Sequence, residues 1–198
     1  MDYDGYILIF TFSKRKPITM PIRSFNAKTP RIAEDVFIDP MATVTGDVNI
    51  HSMSSVWPNV SIRGDLLNIT IGNKTNIQDN SILHTTQFLD CPGKGYDTRI
   101  GDEVTIGHSA VIHGCDIGNR VLIGMGAIIL DGCIIGDDII VGAGSVIPPG
   151  KRLESGFLYI GSPAVESRPL KDSEKVYIKA NAQNYYKVMQ IHKKELGV

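Results

Sequence analysis

An aliphatic residue returns every six positions along most of this chain. The register runs through Ile32, Ile38, Val44, Ile50, Val56 and Ile62, then Ile71, Ile77 and Leu83, then Ile100, Ile106 and Ile112. It continues through Ile117, Ile123, Ile129, Ile135, Val141 and Ile147. Small or apolar residues such as Ala42, Val48, Val60, Ala110 and Ala127 stand four positions after anchors, and Gly72, Gly101, Gly107, Gly118, Gly124, Gly136 and Gly142 directly follow anchors. Such a period is neither helical nor that of a hairpin. It suits a short strand and then a corner, with one aliphatic side chain pointing inward per side and compact residues where the chain bends. Three sides close a coil of about 18 residues, and stacked coils form parallel sheets roughly 4.8 Å apart.

With the sides named a, b and c, and Ile32 placed on a, every irregularity falls between side c and the next side a. Three extra residues lie between Ile62 and Ile71, eleven between Leu83 and Ile100, and one is missing between Ile112 and Ile117. Insertions confined to one corner are what a solenoid tolerates. The expected organisation is an N-terminal arm over 1–30, a β-helix over 31–150 with an excursion at 85–99, a connecting loop over 151–171 and a C-terminal helix over 172–197. In that helix Asp172 or Ser173 can cap, and Ile178, Ala182, Tyr185, Met189 and Leu196 recur at helical spacing. In the first twenty residues the basic cluster Lys14–Lys16 follows the apolar stretch Tyr6–Phe12, the reverse of a secretory signal. Translation starting at Met20 is an alternative reading of that arm.

Composition narrows the partners. The 198 residues suffice for one core, and a net charge of −1 offers no basic field for nucleic acid or an anionic membrane. No apolar run approaches the roughly 18 residues a membrane helix needs. Cys91, Cys115 and Cys133 form neither a C-x-x-C motif nor a disulfide framework. A cytoplasmic globular protein is expected, without a nucleic-acid or membrane partner.

Of the five histidines, His51 and His192 read as surface residues. His84 and His113 each follow a side-c anchor, Leu83 and Ile112, and so face outward in the same slot on successive coils. Their backbones should lie roughly 5 Å apart, within reach of one shared metal. His108 sits two residues after the side-b anchor Ile106, near the corner between sides b and c, and points elsewhere. A neighbouring copy can supply it, and three such heterologous contacts close a ring. A homotrimer with interfacial metal sites follows. Arg63 precedes His84 in its column and Asp79 precedes His108 in the other, so the two can pair across the same interface. Gln78 can bond a metal-held water, and Asp65 can orient its neighbours. Three neutral imidazoles with an open fourth position suit a catalytic, zinc-type site. A metal that only staples the trimer, or three unrelated surface histidines, remain the plainer alternatives.

The segments IRGDLLNITIGNKTNIQDNSILH (Ile62–His84) and IGHSAVIHGCDIGNRVLIGMGAIILDGCIIGDD (Ile106–Asp138) resemble the gamma-class carbonic anhydrase family, carrying R-G-D, N-x-Q-D and H…G-H-x4-H together. The resemblance runs from about Thr29 to Pro169. It implies a mainly β fold, a left-handed parallel β-helix of hexapeptide repeats with a C-terminal α-helix. It also implies that His84, His108 and His113 bind zinc, with iron(II) or cobalt(II) also acceptable, and that His108 comes from a second chain. Arg63 and Asp79 then match an intersubunit ion pair, Gln78 and Asp65 flank the metal-activated hydroxide, and the LYIGSP context places Tyr159 near the site. The implied reaction is reversible hydration of carbon dioxide to bicarbonate, a lyase activity. One departure stands out: the excursion TTQFLDCPGKGYDT (Thr85–Thr98) lacks the glutamate that shuttles protons in active members, and Asp90 and Asp97 read as solvated loop residues. Hydrolysis of a coenzyme A thioester, acyl transfer and a non-catalytic metal-bound scaffold are the competing readings.

Overall fold

The anchors of the six-residue repeat are ladder partners. In a computed structural model of the chain, which describes residues 22–91 and 94–197, Ile32, Ile50, Ile71, Ile100, Ile117 and Ile135 pair in succession along side a. Ile38, Val56, Ile77, Ile106, Ile123 and Val141 do so along side b. Val44, Ile62, Leu83, Ile112, Ile129 and Ile147 do so along side c. All these ladders are parallel, and their side chains fill one continuous interior. Fully burying each aliphatic anchor contributes about 1.5–3 kcal/mol relative to leaving it exposed. The mainly β architecture read from the period is the one present, a parallel β-solenoid with a C-terminal helix. The expected N-terminal arm before residue 22, including the alternative start at Met20, lies outside the described residues.

The corners have a sharper rule than the sequence suggested. The glycines that follow anchors do not make the bends. At Gly107 an added Cβ would stand 2.7 Å from the backbone nitrogen of Met125 on the next coil, so glycine there permits close stacking. At many corners the bend falls three residues after the anchor, at a left-handed residue such as Asn80, Glu103, Ser109 or Arg120, with φ between 54° and 62°. Short polar side chains and glycine tolerate that conformation best.

The corner between sides c and a behaves differently. Strands Thr43–Ile50 and Ser61–Ile71 run through it without a break, which joins sides a and c into one 12-stranded sheet, while side b belongs to an 8-stranded sheet. The extra residues before Ile71 are absorbed in the longer strand. The larger excursion folds into an antiparallel hairpin, Thr86–Gln87 against Gly95–Tyr96.

Several expected boundaries shift. Ile22–Arg23 already pairs with Val44–Thr45, so the sheet begins inside the expected arm. The segment 151–171 is not a connecting loop: Arg152–Leu153 continues side a, Phe157–Gly161 continues side b, and Ala164–Pro169 folds back on the latter. The period carries on through Leu153 and Tyr159, but tyrosine does not register as an aliphatic anchor. The helix spans Asp172–Leu196 with Lys171, rather than Asp172 or Ser173, at its N-cap position. There the Glu174 carboxylate accepts the Lys171 backbone N–H at 2.8 Å and a two-pronged contact from Arg168 at 2.7 and 2.8 Å. The helix lies along side b, burying Ile178, Ala182 and Met189, with Met189 against Phe37 and Trp57, while Leu196 stays exposed. No helix among the described residues is long and apolar enough to cross a membrane.

Candidate metal centre

Strand register sets the first half of the site. Arg63 pairs with His84 and His84 with His113 on consecutive coils of side c, so the three outward side chains form one column. The two rings approach until His84 Nδ1 stands 3.0 Å from His113 Nε2. A carboxylate backs each ring on its far side. Asp65 Oδ1 lies 3.0 Å from His84 Nε2, and Asp131 Oδ1 lies 2.8 Å from His113 Nδ1. Carboxylates only accept hydrogen bonds, so each ring nitrogen facing one carries the proton. With both rings neutral, the two remaining nitrogens carry no proton and face each other across 3.0 Å. That opposition is unfavourable unless a cation lies between or beside them, and this donor set fits a divalent metal of the zinc type.

Electrostatics favour the same protonation. Burial lowers the His84 pKa below its ordinary value; the Asp65 hydrogen bond opposes this, while the charges of Arg63 and His113 lower it further. Neutral imidazole, the form a metal needs, is thereby favoured. Burial raises the Asp65 pKa, but hydrogen bonds from Arg63 and His84 outweigh it and hold the carboxyl below the usual range. Arg63 Nη1 reaches Asp65 Oδ2 at 2.5 Å, so within one chain Arg63 pairs with Asp65.

The remaining expected site residues lie on another face. Asp79 and His108 occupy successive coils of side b, with Asp79 Oδ2 3.0 Å from His108 Nδ1. Asp79 therefore has a partner on its own chain that the sequence reading did not foresee. Beside them Gln78 is nearly buried, its Nε2 donating to Asn76 Oδ1 at 3.2 Å. Gln78 and His108 line one end of a groove of about 400 Å³ between side b and the helix, whose other walls include Leu122, Met125, Tyr177 and Asn181. Among the described residues, no group of three or more His, Cys, Asp or Glu side chains in the single chain is arranged to hold a metal. The expected site residues thus fall into two clusters, Arg63, Asp65, His84 and His113 on side c, and Gln78, Asp79 and His108 at the corner between sides b and c.

Tyr159 joins neither cluster. It pairs with Val141 as a side-b anchor, lies in the core, and its hydroxyl accepts the Glu154 backbone N–H at 2.9 Å. It closes the last coil of its own chain. Asp97 of the excursion is tied to the Asn68 backbone N–H at 3.1 Å and to Arg99, whereas Asp90 is exposed. Asp131 and Thr86 were missed. Thr86 donates to Asp131 Oδ1 at 2.6 Å and also lies 3.1 Å from His113 Nδ1. The available signal was the position of Asp131, at the corner one coil beyond His113.

Known proteins share the repeat and the fold. A family model described as bacterial transferase hexapeptide (six repeats) matches residues 114–149. The chain is 52% identical over 166 residues to Protein YrdA of Escherichia coli, spanning 84% of this chain and 90% of that one. It is 49% identical over 159 residues to a protein of Methanocaldococcus jannaschii named Probable carbonic anhydrase, spanning 80% of this chain and 96% of that one. Among solved structures, a hexapeptide transferase family protein from Anaplasma phagocytophilum superposes with a TM-score of 0.79 at 35% identity, covering 85% of this chain and 96% of the other. Sharing both the repeat and nearly the full length of such a relative, this chain belongs to the gamma-class carbonic anhydrase-like family of hexapeptide-repeat proteins.

Proposed function

We propose that this protein is a metal-dependent carbonic anhydrase that interconverts carbon dioxide and bicarbonate in the cytoplasm, at sites shared between the protomers of a homotrimer. His84 and His113 of one protomer and His108 of its neighbour would hold the metal, zinc in the first instance, with iron(II) or cobalt(II) as alternatives. The observation that carries this reading is the pair of ring nitrogens of His84 and His113 opposed at 3.0 Å, each ring backed by a carboxylate on its far side. A divalent cation held by three imidazoles with one open position acidifies water and so supplies a nucleophile at neutral pH.

The chain's own residues do the rest. Asp65 holds the His84 ring in the tautomer that leaves Nδ1 free, and Asp79 does the same for the outer nitrogen of His108. The second oxygen of Asp79 is the natural partner for Arg63 of the neighbouring copy, an exchange that would release Arg63 from Asp65. Gln78 commits its Nε2 to Asn76, so its Oε1 is the atom left to accept a hydrogen bond at the groove end. The excursion has no glutamate, Asp97 is tied down and Asp90 stands exposed to solvent, so added buffer should speed proton export.

Stopped-flow hydration of carbon dioxide on zinc- and iron-loaded protein tests the reading. The expected result is metal-dependent turnover that rises with the concentration of a small imidazole buffer. Full metal loading without hydration under either metal would overturn it and leave thioester hydrolysis or a scaffold role.

A further inference from the structure

The excursion between Leu83 and Ile100 lacks the expected acidic shuttle, yet it is placed with care. Its first strand, Thr86–Gln87, brings the Thr86 hydroxyl onto Asp131 Oδ1 at 2.6 Å, and the same oxygen stands 2.8 Å from His113 Nδ1. Its return strand, Gly95–Tyr96, sets the Tyr96 ring over the next corner: a Cβ added at Gly132 would meet that ring at 3.0 to 3.2 Å. One coil below, a Cβ at Gly114 would occupy the space of Asp131 Oδ1 itself. Both glycines have positive φ, 53° and 70°, and Gly132 donates its N–H to Gly114 O at 2.7 Å. Two stitched corners and the hairpin therefore form a recess that admits one carboxylate oxygen and delivers two donors to it.

We propose that Asp131 and Thr86 are positioning residues for His113, and that the hairpin's task at this site is to seat Thr86 on Asp131 so that His113 stays protonated on Nδ1 and offers Nε2 to the metal. Neutral imidazole can carry its proton on either nitrogen, and only one tautomer leaves Nε2 free. A carboxylate on Nδ1 selects that tautomer and fixes the ring's rotation. Thr86 in turn fixes the carboxylate: its hydroxyl takes up acceptor capacity on Oδ1 and leaves one direction for His113. The inference rests on the reading of His113 as a metal ligand, but not on the reaction the metal supports.

The test compares the full-length protein with Asp131→Ala, Thr86→Val, and the control Asp116→Asn, whose carboxylate meets Arg99 on side a at 3.1 Å. Long-range proton–nitrogen NMR of the metal-free protein reads the His113 tautomer, and competition against a chelator reads zinc affinity. Asp131→Ala should mix the tautomers and weaken zinc by about 10- to 100-fold. Thr86→Val should do both to a smaller extent, and the control should do neither. An unchanged tautomer with zinc affinity within about twofold of the parent in Asp131→Ala overturns the proposal. Should that variant fail to fold, Thr86→Val decides in its place by the same two readouts. Tautomer loss in a protein without hydration activity would remove the proposed reaction and leave this device standing, whereas full activity with an unmoved tautomer would remove the device alone.

Discussion

Sharing of the metal site between copies predicts a specific recovery when two defective chains are mixed. His84→Ala removes a side-c ligand and His108→Ala removes the ligand at the opposite corner, and either homogeneous trimer should lose all its metal sites. The two clusters stand on different faces of one solenoid, so in a ring each site draws its side-c pair from one protomer and His108 from the next. When the two variants are unfolded together in equal amounts and refolded, about three quarters of the trimers contain both chains. Each mixed ring has one junction where an intact side c meets an intact His108, so about one site in four is restored across the population. Zinc per protomer, measured after exhaustive desalting, should rise from near zero to about a quarter of the parent value. No recovery in verified mixed trimers would refute the shared site, as would full zinc retention by the His108→Ala chain alone.

Two further outcomes test the fold that carries the site. Ile123 is fully buried between Ile106 and Val141, so Ile123→Ala should cost about 2–5 kcal/mol, read as a lower denaturant midpoint. Ile191 on the exposed side of the helix should change stability by no more than about 0.5 kcal/mol when cut to alanine, and equal effects would contradict the inward assignment of the anchors. The hydrogen bonds from Arg168, and next from the Lys171 backbone, hold the Glu174 carboxyl at about 2 against an ordinary 4.5. A depressed carboxyl stabilises the folded state above the unfolded pKa and loses that contribution as pH falls from 4.5 towards 2. Thermal melts over that range should converge for parent and Glu174→Gln at the acid end, and an ordinary titration midpoint for Glu174 would sink the reading.

What could be read in the sequence follows from what a repeat encodes. A period of six fixes which side chain points inward and which residues of successive coils are neighbours. Counting alone therefore set Ile62 beside Leu83 and Leu83 beside Ile112, and with them Arg63, His84 and His113 in one column. Counting would also have placed Tyr159, since it stands one full coil after Val141 and had to be an anchor. The family resemblance places it near the site, while the frame fixes its seat in the core of the last coil. Asp131 and Thr86 escaped for a different reason. Thr86 belongs to an insertion outside the frame, and its neighbours are decided only when that insertion turns back as a hairpin over the Gly114 and Gly132 corners. The same distinction separates the two clusters from each other. Within one chain the frame places each histidine on its face, but the proposed meeting of side c with His108 of a neighbour would depend on how whole solenoids pack, which the period does not specify. Position along and around the solenoid can thus be counted, whereas contacts made by an insertion or a second copy depend on surfaces that exist only after folding.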